Sequence, residues 1–258
     1  MKKLTLIFFT ILSVAYFALS ASLIKNDPIL SYDDKLLLSP LLENSSVTGY
    51  FKALEESRIV DRQPLRDLSY LMDIALKKHF PLWSFHLTNI IIGLLSLFIF
   101  FRLAQFYLKD KFLLIGTTVL LAFHPSLWLT LSWISGRKHL LSFFFILLAT
   151  LAIHVFKRKR NSNFLLLSII SFFFALLSHP IAIFWAIWTF YFLKDENKVV
   201  KFQFTFPAIL LSLIVAWTNF HYYQGIYLKQ GASAKIISGY SFAESILALG
   251  RYGLRPSR

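Results

Sequence analysis

Leu140-Leu141-Ser142-Phe143-Phe144-Phe145-Ile146-Leu147-Leu148-Ala149-Thr150-Leu151-Ala152-Ile153-His154-Val155-Phe156, followed at once by Lys157-Arg158-Lys159-Arg160, decides the class of this protein. The run carries no formal charge and approaches the roughly 20 apolar residues that take a helix across a bilayer core. The basic cluster that ends it is the mark of a cytoplasmic membrane boundary.

Similar runs lie on both sides. Residues 4–24, 82–108, 112–134, 164–178, 181–193 and 203–220 are apolar, and short polar or basic stretches separate most of them. The whole reads as one all-α, polytopic membrane domain of about seven transmembrane helices. Composition agrees: 57% of the 258 residues are hydrophobic and 28 are phenylalanine, against 45–50% apolar in an ordinary soluble domain. Small residues at Ala18-Leu19-Ser20 would suit signal cleavage, but the first run is long for that, and an uncleaved helix is the preferred reading. With no cysteine, disulfides and thiolate metal sites are excluded.

The net charge of +14 does not indicate a nucleic-acid partner. Most of the thirteen acidic residues fall between residues 25 and 82, where basic residues nearly balance them. Elsewhere the cations stand in clusters between apolar runs. Lys2-Lys3, Lys109 and Lys111, Lys157 to Arg160, and Lys194 to Lys201 all belong on the cytoplasmic side. This predicts a cytoplasmic N-terminus in an inner or plasma membrane. It also predicts a large extracytoplasmic loop (25–82), an outer turn at Ser135–His139 and an extracytoplasmic tail (223–258). Residues 164–193 must then cross twice, as two short helices hinged at His179-Pro180.

Within the loop, Leu65, Leu68, Leu71, Met72, Ile74 and Ala75 recur at helical spacing behind Pro64, predicting an interfacial helix from Pro64 to His79. The polar residues that this topology gathers outside are the site candidates. The carboxylates of Asp33-Asp34 could act as general base toward a hydroxyl or hold a divalent cation, or form a solvated turn. Arg62 and Arg66, beside Pro64, match phosphate geometry or contact bulk headgroups. His86, His124 and His179 stand in or at the ends of apolar runs, where a polar group is costly; they could equally be capping residues. No spacing such as H-E-x-x-H points to zinc, and no Gly-rich phosphate loop or nucleophile elbow occurs.

Several segments carry a resemblance. Gln63-Pro64-Leu65-Arg66-Asp67-Leu68-Ser69-Tyr70 with Phe85-His86-Leu87-Thr88-Asn89, then His124-Pro125 with Trp133-Ile134-Ser135-Gly136-Arg137-Lys138, follow an outer-loop Asp-Asp in the same order as in one membrane family. The chain resembles the transmembrane and tetratricopeptide-repeat O-mannosyltransferases and their bacterial relatives, which are similar to other C-type (GT-C) glycosyltransferases. The resemblance covers the N-terminal part of that family's membrane domain. It implies transfer of a sugar from a polyprenyl-phosphate carrier to a hydroxyl of a protein or glycan on the far side of the membrane. Asp33 and Asp34 would take the place of the acidic pair. His124 and Arg137 would lie near the carrier phosphate or sugar, with His139 and His179 beside them.

The sequence departs from the pattern. Leu129 stands where the family has Glu, His139 where it has Asp, and Ser178-His179-Pro180 where Ser-Lys-Glu is expected. No 34-residue repeat follows. An altered donor specificity would explain this. So would a non-catalytic or truncated membrane subunit that keeps the fold, or a domain completed by a second chain. A small transporter would place its polar groups at the midplane of repeated halves, which is not the pattern here.

Overall fold

The computed structural model describes residues 7–18, 32–43, 45–56, 59, 62–76 and 84–229. Lys2-Lys3, the edges of the first apolar run, the side chain of Asp33 and the tail beyond residue 229 lie outside the described residues. The chain divides into two compact units, residues 1–216 and 217–258, and the account below concerns the first. In the second, the described residues continue the last helix, where Trp217 packs edge-on against His221 at 4.2 Å.

Every described element is a helix, with no strand among the described residues. In chain order they are α1 (Ile7–Ala18), α2 (Tyr32–Glu43), α3 (Val47–Glu55), α4 (Pro64–Leu76), α5 (Ser84–Ala104), α6 (Lys111–Ala122), α7 (Pro125–Ser132), α8 (Arg137–Lys159), α9 (Asn163–Ser178), α10 (Ile183–Phe192) and α11 (Lys198–Lys229). Short 3-10 turns, Ile134–Gly136 and Pro180–Ala182, lead into α8 and α10. Three helical stretches are long and apolar enough to cross a bilayer: Phe85–Ala104, Ile134–Lys159 and Lys198–Tyr222. Helices α6 and α7, bent by 44° at their junction, make a fourth if taken as one broken span. The chain is therefore all-helical, with three to four candidate membrane spans, and α1, α9 and α10 are shorter apolar helices.

Exposed apolar side chains fit a lipid-facing surface. Phe112 is 88% exposed, and Trp188, Phe190, Phe206 and Leu213 each show more than half their surface. A soluble protein rarely leaves so much contiguous apolar surface uncovered.

In α4 most of the polar side chains face inward. Its buried side chains are Arg66, Asp67, Tyr70, Leu71 and Asp73, while Leu68, Met72 and Leu76 are exposed. The helix turns its polar residues and Leu71 into the protein and Leu68, Met72 and Leu76 outward, as a helix does when its other neighbour is lipid. The described residues of the 25–82 segment form α2, α3 and α4, which pack around a core that includes Leu38, Leu41, Tyr50, Ala53, Tyr70, Leu71, Phe85 and Ile134.

Residues 164–193, read from sequence as two short helices hinged at His179-Pro180, form α9 and α10 with a break at that point. α9 packs along α8, and the Ser168 hydroxyl donates to the Ala149 carbonyl at 2.7 Å. At the break, the His179 ring lies 4.6 Å from that of His139, in the first turn of α8. The chain then returns. The Trp185 indole donates to Thr150 at 2.9 Å, and Lys157 Nζ reaches the Phe192 carbonyl and Asp195 at 3.3 Å. The α9–α10 hairpin thus runs alongside α8 from Lys157 to His139 and back, a length of helix of about 27 Å. It ends where it can because residue 179 is extended (φ −159°, ψ 131°) and the following proline cannot continue a helix.

Candidate functional site

The expected outer turn at Ser135–His139 is instead the helical start of α8. Ser135 and Gly136 close a 3-10 turn, and Arg137, Lys138 and His139 form the first turn of the long helix. Side chains from three other helices satisfy the backbone of this junction. Asp34 (α2) accepts the Ser135 N–H at 2.7 Å, Tyr70 (α4) donates to the Ile134 carbonyl at 2.8 Å, and Asn89 (α5) donates to the Trp133 carbonyl at 3.2 Å. Gly136 is required here by space. A Cβ on it would stand 2.4 Å from the carbonyl oxygen of Thr130, in the last turn of α7.

Arg137 is fully buried. Its Nε donates to Asn89 Oδ1 at 2.7 Å, Nη1 to Ser69 Oγ at 3.2 Å, and Nη2 to the Phe85 carbonyl at 2.7 Å. Nη1 also forms an ion pair with Asp73 Oδ2 at 2.5 Å. The guanidinium lies 4.6 Å from the centre of the Tyr70 ring. The other Asp73 oxygen accepts from Thr88 at 2.7 Å. Burying a charge is tolerable only when it is paired and hydrogen-bonded, and the planar guanidinium fork suits several acceptors at once.

A second buried pair adjoins the first. Arg66 grips Asp67 Oδ1 through Nε at 2.8 Å and Nη2 at 2.6 Å, and Asp67 Oδ2 accepts from Tyr50 at 3.4 Å and from the Gln63 N–H at 3.3 Å. Ser69, which accepts from Arg137, donates to the Arg66 carbonyl at 2.6 Å, so the pairs are linked. Burial pushes the phenols of both Tyr50 and Tyr70 well above the usual tyrosine range; for Tyr70 the cations of Arg137 and Arg66 oppose the rise. Both phenols act as neutral hydrogen-bond donors.

The remaining candidates are distributed unevenly. Asp34 is buried and meets the junction, whereas the Asp33 side chain lies outside the described residues. Arg62 is half-buried. Arg66, expected to grip a phosphate at headgroup level, is instead sealed against Asp67. His86 is buried in the first turn of α5. His124 caps α7, its Nδ1 accepting the Ser126 N–H at 3.3 Å. It sits at the α6–α7 bend, a short helix of about 12 Å away from Trp133, and so apart from the Arg137 network. His179 caps its own 3-10 turn by accepting the Ile181 N–H at 3.1 Å. His139 is exposed and His179 half-buried, and together they form the accessible polar pair at this end.

The arrangement separates holding from exchange. Arg137, Arg66, Asp73 and Asp67 spend their charges on one another, so neither arginine offers its charge to an incoming anion without breaking a buried pair. His139 and His179, by contrast, keep part of their surface exposed. Asp73, Asn89, Ser69 and Thr88 were not singled out from sequence. Asp73 did carry a signal, being a carboxylate two helical turns from Arg66 on the same side of an otherwise leucine-rich helix. No family model, curated protein or solved structure matches this chain.

Proposed function

We propose that this chain is a membrane protein of GT-C-like architecture that transfers a sugar from a polyprenyl-phosphate carrier to an extracytoplasmic hydroxyl of a protein or glycan. One observation carries the reading. Three of the segments whose spelling resembles the O-mannosyltransferase family, 63–70, 85–89 and 133–138, meet in a single network with Asp34, which stands 101 positions from its partner Ser135, while His124-Pro125 lies apart. The proposed topology has seven crossings (α1, α5, α6 with α7, α8, α9, α10 and α11). Its N-terminus is cytoplasmic in an inner or plasma membrane, and the Arg137 end faces outward. The return of α10 to Lys157 supports it.

In this reading Arg137 and Arg66 are positioning residues that hold α4, α5 and α8 together. Asp34 positions the junction, leaving Asp33 as the candidate base. The acceptor hydroxyl attacks the anomeric carbon as the carbon–oxygen bond to the phosphate breaks. The acceptor proton passes to the carboxylate, and the lipid phosphate leaves. His139 and His179, where the family carries other charged residues, would face the leaving phosphate and stabilise its charge.

A second reading, a non-catalytic membrane subunit that keeps the fold, is favoured by the burial of Arg137 and Asp34 against internal partners. Purified protein in lipid, given a panel of polyprenyl-phosphate sugars, separates the two. The enzyme reading expects transfer by wild type, a loss of at least a hundredfold in Asp33→Asn, and a clear loss in His139→Ala with an unchanged melting temperature. No transfer by well-folded wild type across the panel sinks the enzyme reading in favour of the subunit.

A further inference from the structure

At the other end of α5 and α8, Arg102, Gln105, Phe106, Leu151, Val155 and Arg158 line an open cleft of about 160 Å³. Neither arginine has an acidic partner among the described residues, although two neighbours of Arg158 do: Lys157 meets Asp195 at 3.3 Å and Arg160 meets Glu196 at 2.5 Å. The volume is well below the roughly 300 Å³ at which pockets begin to hold a whole small-molecule ligand. It accommodates a compact anionic group whose remainder lies outside.

The surface beyond the cleft is suited to that remainder. Ile91, Leu95 and Phe98 are 44%, 47% and 44% exposed, and with Arg102 they follow at spacings of four, three and four, one stripe on a helix. From Ile91 to Arg102 the stripe is about 16 Å long, roughly half of a 30 Å hydrocarbon core and so the depth of one leaflet. On α8, Leu151, Val155 and Arg158 repeat the pattern.

We propose that this groove is a binding site for an anionic phospholipid of the leaflet at the basic end. The headgroup phosphate sits between Arg102 and Arg158, and an acyl chain lies along Phe98, Leu95 and Ile91. Basic pockets between transmembrane helices recognise lipid headgroups through this combination of paired cations and apolar wall. The inference rests on α5 and α8 crossing the bilayer and is independent of sugar transfer.

The test reconstitutes the protein in vesicles of equal phosphatidylcholine and phosphatidylglycerol, extracts it gently and counts retained lipid by native mass spectrometry. The Arg102→Gln/Arg158→Gln variant is expected to lose retained phosphatidylglycerol on the order of tenfold. A variant with the same charge change at exposed lysines of the same end, Lys109→Gln/Lys198→Gln, is expected to keep it, as is wild type washed with excess inorganic phosphate. Equal retention in both variants, equal loss in both, or stripping by inorganic phosphate overturns the lipid site. Melting temperatures identify a misfolded variant, in which case Arg102→Lys/Arg158→Lys, which keeps the charge, must retain the lipid. Failure of wild type to float with vesicles overturns the membrane reading itself, a result distinct from loss of the site.

Discussion

Helix α8 begins and ends in an arginine ion pair of the same length, 2.5 Å: Arg137 with Asp73 and Arg160 with Glu196. The Arg137 and Asp73 side chains are 0% and 3% exposed, whereas Arg160 is 65% exposed and only its partner is buried. Distance alone would rank them equal. Burial separates them, because solvent screens the second pair while the first has no water to fall back on if either partner is lost. The Arg137 end is the part of the molecule whose charges build the fold. The basic end keeps most of its charges near solvent, where they cost little stability.

The strongest attempt to break this contrast is Arg137→Ala. It leaves Asp73 buried and unpaired and strands the acceptors on Asn89 and Phe85, and it is expected to cost about 3–5 kcal/mol, read as a large drop in melting temperature in detergent or as loss of folded protein. Arg137→Lys should rescue little, since a single ammonium cannot reproduce the fork. A melting temperature within a degree or two of wild type would show that the network is dispensable.

Gly136→Ala tests the same end by space alone. The added methyl would strike the Thr130 carbonyl oxygen of the backbone, and the expected cost is about 1–3 kcal/mol with no change in charge; an unchanged melt would mean that α7 shifts freely. The smallest effect belongs to the other end. Lys157→Ala and Arg160→Ala are each expected to change stability by less than about 1 kcal/mol, and raised salt should diminish even that. If either approached the Arg137→Ala effect, the contrast between the two ends would collapse.

Much of the helical layout is legible in the sequence because it depends on local signals. His124-Pro125 and His179-Pro180 mark breaks that the structure contains, since proline removes a donor wherever it stands. Pro64 opens α4 as its place in the sequence suggests. The site is less legible. The Ser-Gly-Arg segment reads as an exposed turn because charge at the edge of an apolar run usually meets water. Its burial depends on Asp73 and Asn89, 64 and 48 positions before Arg137, and no periodicity pairs them. Arg66 reads as a headgroup contact for a different reason: its partner Asp67 is the next residue, and adjacency alone does not reveal that both are buried. The apolar spacing of α4 reports that two faces differ, not which of them packs against the protein.

The hairpin of α9 and α10 also bears on how the chain is made. Its tip, Ser178-His179-Pro180, presents no permanent charge for a translocating machine to drag through oil, while its two ends carry Lys157 to Arg160 and Lys194 to Lys201. Neither helix alone is long enough to be held firmly on the strength of its greasiness. On the proposed topology the pair therefore enters the bilayer together, folded back upon itself, with α8 already in place as the template it zips onto and the basic flanks serving as a brake that keeps both ends on the ribosome's side.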